Sequence, residues 1–160
     1  MLEEVDEEVG FDSVCLAEDA EGVGDSGATA PVVGDEVWKR FLEEKKRQGD
    51  TAEITYHRCL KSFRFGAGEI LKSTRYAEFE GHVLGDKRQV QIYIVPGKTP
   101  MLISRRDLEK WGIVLDFRNG RAMSLDDSTR TWRKMKQNTK KHFVFNLLDR
   151  TPPPIGEEIT

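Results

Sequence analysis

The run QVQIYIV at 89–95 alternates polar and apolar residues without interruption and stops at Pro96-Gly97. Side chains on a strand point to opposite faces in turn, so this run predicts a half-buried β-strand with Val90, Ile92 and Ile94 on one face. Before it, ITYHRCLKSFRF and STRYAEFEGHV are rich in β-formers, and FGAGE (65–69) between them reads as a turn. After it, Met101 to Ile103 predict a short buried strand and Ile113 to Phe117 another, while residues 121–125 and 143–148 supply two more. Asn119-Gly120 is the strongest hairpin signal in the chain. Many short strands divided by turns predict a mainly β chain whose sheet closes or folds over. Two short helices interrupt the pattern. One covers 35–47, with Asp35 as N-cap, Val37, Phe41 and Leu42 at helical spacing beside Trp38, and Gly49 as the stop. The other follows Ser104, with Asp107 three residues on to complete an approximate capping box, Leu108 and Trp111 facing inward, and Gly112 ending it.

At 160 residues the chain fits one domain with tails, large enough to bury a core without disulfide staples. No apolar run approaches the ~20 residues of a membrane span, and the N-terminus lacks the basic-then-apolar order of a secretory signal. Cys15 and Cys59 make no disulfide framework, so a reducing, cytoplasmic compartment is expected. The net charge of −3 conceals an asymmetry: residues 1–38 hold twelve acids and no Lys or Arg, against 25 basic and 16 acidic residues thereafter. The expected organisation is an acidic disordered leader at 1–20, a folded domain at 21–149 and a Pro-rich tail at 150–160, more linker than core.

Most chemical motifs are missing. His57-x-Cys59 is a possible ligand pair, but no further His or Cys stands at zinc spacing, so no metal site is predicted. GAGEIL matches neither phosphate-binding glycine pattern, and nothing places a histidine beside Ser26, Ser104 or Cys59 to activate a nucleophile. What remains is GVGDSGATAPVVG at 22–34, with Asp25 in a turn of small residues. Two close carboxyls cannot both ionise, so an Asp that meets a second one can share its proton and activate water. Small neighbours let substrate approach such a group, and glycine takes angles other residues avoid. The same D-S-G is also an ordinary turn, and the residues alone leave both readings open.

The pentad Asp25-Ser26-Gly27-Ala28-Thr29 resembles the D-[ST]-G-A-[TS] signature of retropepsin-like aspartic proteases. APVVGDEVW resembles the apolar stretch that follows it in copia-type retrotransposon polyproteins, and SFRFGAGEILKS resembles their FRFGNG segment. IYIVPGKTPMLISRRDLEKWGIVLDF resembles their second signature. The matches run in order over about residues 22–149.

The resemblance implies a retropepsin-like acid-protease barrel with two short helices and an aspartic endopeptidase activity. Asp25 would be the catalytic carboxylate. Ser26 would brace the two active-site loops, Gly27 would present backbone to substrate, and Ala28 and Thr29 would close the turn. Leu102 and Ile103 would thread beneath that loop, with Ser104 at the family's usual glycine, and the hairpin around Phe65 to Leu71 would fall where a flap is expected. One D-S-G per chain implies a homodimer with the site on its two-fold axis. The implied substrate is an extended polypeptide bound by strand addition, the parent polyprotein included; no metal or organic cofactor and no membrane is implied. Two departures stand out. Gly22-Val23-Gly24 replaces the family's apolar strand, which predicts a weak, displaced or missing first strand, and Ser104 adds a side chain in a tight place. Two other readings are a catalytically inactive dimerisation or peptide-binding module on the same fold, and a nucleic-acid-binding fragment using Arg118, Arg121, Arg130, Arg133, Lys134, Lys136, Lys140 and Lys141 with Trp132 for stacking.

Overall fold

A computed structural model describes residues 5–9 (as backbone), 21–24, 30–65, 69–138 and 141–156. Among these the chain is mainly β, with two helices. A nine-stranded sheet carries most of it, and its spatial order runs from one edge to the other. First comes β1 (Val5–Val9), then β4 (Ile54–Phe65), β5 (Glu69–Val83) and β6 (Asp86–Val95). β3 (Val32–Gly34), β7 (Leu102–Ile103), β2 (Glu21–Gly24), β12 (Phe143–Asn146) and β11 (Lys136–Gln137) complete it. A separate three-stranded sheet has β9 (Arg121–Ser124) between β8 (Ile113–Asp116) and β10 (Arg133–Lys134). The barrel expected from sequence is not closed: among the described residues β1 and β11 remain edges.

The alternation at 89–95 does what its period requires. Val90, Ile92 and Ile94 enter the larger of two apolar clusters, where α1 (Asp35–Arg47) lays Trp38 and Phe41 against Phe79. Ring centroids of Trp38, Phe41 and Phe79 lie 5.3–5.7 Å apart, a spacing that adds to simple burial. The odd-numbered residues face the other way, and Val95 joins a smaller cluster with Val23, Ala30, Val32, Phe63 and Leu102. The sheet therefore separates a helix-covered main core from a second core that contains both arms of the 25–29 segment.

Three details differ from the sequence reading. Gly34, not Asp35, is the N-cap of α1; the Asp35 carboxylate instead accepts the Gly97 N–H at 3.0 Å. Within the acidic leader, Val5–Val9 forms the edge strand β1. The Pro-rich exit lies along β10. A proline lacks an N–H but keeps its carbonyl, and Pro154 O accepts from Lys134 N at 2.7 Å while Arg133 reaches Pro153 O at 3.3 Å. Asn119-Gly120 does close the β8–β9 hairpin, with Gly120 at φ 62.

One buried charge has no counterpart in the sequence reading. Lys45, in the last turn of α1, is 5% exposed. Its ammonium donates to Asp50 O at 3.0 Å and Ala52 O at 2.6 Å and pairs with Asp50 Oδ1 at 3.1 Å. An ammonium carries three donors, and three oxygens meet them.

Candidate active site

Residues 25–29, which include every position of the D-S-G-A-T pentad (Asp25, Ser26, Gly27, Ala28, Thr29), lie outside the described residues. The two arms that carry this segment are described. β2 leads into it and β3 leads out, and β7 lies between them. β2 runs parallel to β7, with Val23 opposite Leu102 and Gly24 opposite Ile103. β3 runs antiparallel to β7, with Val32 also opposite Leu102. Val23 N donates to Met101 O at 2.8 Å, and the outgoing arm is held by Tyr93 N to Pro31 O at 2.9 Å and Gly34 N to Thr99 O at 2.8 Å. Leu102 and Ile103 thus separate the two arms of the Asp25 segment.

The strand expected to be weak or missing is present. β2 is buried along its length and bonded on both sides, to β7 and to β12. Its glycines are what permit this packing. A Cβ on Gly22 would stand 2.7 Å from Ile103 Cδ1, and one on Gly24 would stand 2.6 Å from Phe145 Cε2. The conformational cost of each glycine, about 0.5–1 kcal/mol, is offset by two neighbours that close over the strand.

Ser104 follows β7 directly and is 1% exposed. It is the N-cap of α2 (Arg105–Lys110): its Oγ accepts from Asp107 N at 3.2 Å and donates to Asp107 Oδ2 at 2.9 Å. The side chain that replaces the resemblance's glycine therefore has a local task, to start α2 immediately beyond the crossing. Burial raises the pKa of Asp107 above the usual carboxylate value, against the opposing pull of its hydrogen bonds to Ser104.

The β4–β5 hairpin packs beside these arms. Its tip, 66–68, lies outside the described residues, but Phe63, Phe65 and Leu71 near the tip pack on the cluster that contains Val23, Val32 and Leu102. An aromatic stripe missed in the sequence continues from there along one face. Phe63 meets Tyr93 at 5.3 Å, Tyr93 meets Tyr76 at 5.4 Å, and Tyr76 stacks on His57 at 4.7 Å. Lys61 lies 4.8 Å over the Tyr93 ring. Strand register explains it, since His57 pairs with Tyr76 and Tyr76 with Tyr93. The available signal was that these aromatics occupy the faces opposite Ala77 and Ile92.

Other sequence candidates are occupied. His57 and Cys59 do not converge on a common ligand position: Cys59 Sγ lies 3.6 Å from Ser73 O while His57 stacks on Tyr76. No group of three or more His, Cys, Asp or Glu among the described residues could hold a metal ion. Of the basic residues named for nucleic acid, Arg121 binds Asp116 at 2.8 Å and lies over the Trp132 ring at 4.3 Å, so one face of that ring is already taken. Arg133 is held by Pro153 and Lys136 by Glu21; Lys140 lies outside the described residues, while Arg118, Arg130, Lys134 and Lys141 are exposed. Among the described residues no helix is long and apolar enough to cross a membrane. Compared with protein-family models, curated proteins and solved structures, the chain matches none.

Proposed function

We propose that this chain is a retropepsin-like aspartic endopeptidase that acts as a homodimer. The observation that supports it best is the crossing of Leu102-Ile103 between the two arms of the Asp25 segment, bonded to both. A loop with its arms pinned by an intervening strand can hold a carboxylate in a fixed position, which an ordinary surface turn does not require. Three other acids have local duties that favour Asp25 for the role. Asp35 binds Gly97, Asp107 binds Ser104, and Asp116 binds Asn119 and Arg121.

In this reading two Asp25 carboxyls meet on the dimer axis and share one proton. The ionised carboxylate takes a proton from water as the water oxygen bonds to the peptide carbonyl carbon. The protonated partner gives its proton to the carbonyl oxygen. Collapse of the resulting diol breaks the C–N bond: the first carboxyl gives the proton it took from water to the leaving nitrogen, and a diol hydroxyl returns a proton to the second. In this reading Ser26 braces the loop, Gly27 presents backbone to an extended polypeptide, Ala28 and Thr29 close the turn, and the β4–β5 hairpin is the flap. The chemistry needs no metal or organic cofactor.

The test is cleavage of a mixed peptide library at mildly acidic pH, with and without a pepstatin-type inhibitor, run beside Asp25→Asn. Inhibitor-sensitive cleavage that Asp25→Asn abolishes, from a chain that sediments as a dimer, is the expected result. Cleavage that survives Asp25→Asn, or a chain monomeric at every concentration, refutes the proposal. A dimer that cleaves no peptide, and whose peptide binding is unchanged by Asp25→Asn, identifies the inactive binding module instead.

A further inference from the structure

β1 does not pair with its neighbour in sequence. It lies on the outer edge of β4, parallel to it, with Val5 opposite Ser62, Glu8 opposite Arg64 and Val9 opposite Phe65. The inner edge of β4 belongs to β5. Without β1, the tip half of β4 would present an unpaired row of N–H and C=O groups, a ready template for another extended chain. β1 covers that template weakly. It is five residues long, its register shifts between Val5 and Glu7, and its pairing is parallel, the less stable kind per residue. Its sequence, VDEEV, holds three acids in a row, and the register sets Glu8 opposite Arg64 of β4. Complementary charge of this kind selects a partner and its register.

We infer that the outer edge of β4 is an acceptor for an extended acidic segment, and that residues 5–9 fill it in cis as a displaceable cover. The same acidic sequence supplied in trans competes for the edge. Only the consequence for cleavage rests on the protease reading: with the cover in place, the outer edge of β4 is closed to strand addition by a substrate polypeptide.

The test uses the full chain and a variant with Glu7→Pro and Glu8→Pro, which removes two adjacent N–H donors from β1. Hydrogen exchange at 62–65 is expected to accelerate at least tenfold in the variant. A fluorescent peptide of sequence MLEEVDEEVGFD is expected to bind the variant at least tenfold more tightly than the parent. Neutralising Asp6, Glu7 and Glu8 in that peptide to the amides weakens binding and flattens its salt dependence. A second variant, Glu7→Lys with Glu8→Lys, keeps every backbone donor and is expected to act in the same direction. Equal exchange at 62–65 in parent and variants, or peptide binding that is equal or absent in both, overturns the inference. Strand exchange observed in a chain that cleaves nothing supports the acceptor edge and counts only against the protease.

Discussion

Replacing Gly34 by Ala probes how tightly the outgoing arm of the Asp25 segment is held. Gly34 has φ −69, which any residue adopts, so the substitution carries no backbone penalty. The obstacle is space. A Cβ there would lie 2.4 Å from Gly97 O, 2.5 Å from Thr99 N and 2.8 Å from Gly97 C, all backbone atoms that no rotamer change can move. Reaching an ordinary contact near ~3.5 Å requires the 97–99 segment to retreat by about 1 Å. That segment is tied to the arm by Gly34 N to Thr99 O at 2.8 Å, Glu36 N to Gly97 O at 3.1 Å and Gly97 N to Asp35 Oδ1 at 3.0 Å. A retreat of about 1 Å stretches all three beyond hydrogen-bonding distance. At about 1 kcal/mol net per bond the loss is about 3 kcal/mol. Reduced entropy of the unfolded chain returns about 0.4–1 kcal/mol, leaving about 2–3 kcal/mol of destabilisation. Urea unfolding followed by tryptophan fluorescence should show a lower midpoint at unchanged slope, and melting should fall by about 5–10 °C. Gly49→Ala is the contrasting control: its φ of 73 is unfavourable, but nothing lies within 4 Å of its Cβ, so a cost of only about 1–2 kcal/mol is expected. If Gly34→Ala unfolds within about 0.5 kcal/mol of the parent, or costs less than Gly49→Ala, the close approach of 97–99 to the arm is wrong.

Leu102→Ala removes a fully buried side chain from the cluster beside the Asp25 segment and should cost about 2–5 kcal/mol in urea unfolding, with cleavage falling at the same time. Lys45→Met leaves the Asp50 carboxylate without its ammonium and should cost about 3–5 kcal/mol. Burial alone would raise the Asp50 pKa, but the Ala52 N–H and the bond and charge of Lys45 outweigh it and hold it below 3.8. The stability from the lowered Asp50 carboxyl is therefore complete above pH 3.8 and disappears as pH falls through the folded value, a loss that acid titration of Lys45→Met should show in reduced form. Asp107 has the opposite sign, because burial raises its pKa: stability should decline as pH climbs from 3.8 through the folded value, and Asp107→Asn should flatten that decline. Ser104→Ala should cost about 1 kcal/mol through the lost cap, and Ser104→Gly only a few tenths, measured by thermal unfolding.

What the sequence disclosed was local. The strand at 89–95 follows from its own alternation, the β8–β9 turn from Asn119-Gly120, and the start of α2 from Ser104 with Asp107, because each depends on residues a few places apart. The order of strands, the open sheet and the covered edge of β4 depend on partners far along the chain. Gly22 and Gly24 look like strand-breakers until Ile103 and Phe145 are seen closing over them. Lys45 looks like one more surface cation until Asp50 and Ala52 supply its oxygens. At the candidate site, the short apolar run before Ser104 was legible as a strand, but its place between β2 and β3 depends on residues far along the chain. The aromatic stripe was hidden because it arises from register across three strands.

β2 has no neighbour close to it in sequence. It is zipped between Leu102-Ile103 on one side and Phe143–Asn146 on the other, strands that a ribosome delivers roughly eighty and roughly one hundred and twenty residues later. Contacts of such separation form slowly, since a long loop must close before any bond rewards it. The residues leading to Asp25 are made well before the strands that give them a place. During synthesis β2 thus passes through a long interval in which it has no strand on either side, and the sheet around it can close only once the last of these strands has left the ribosome.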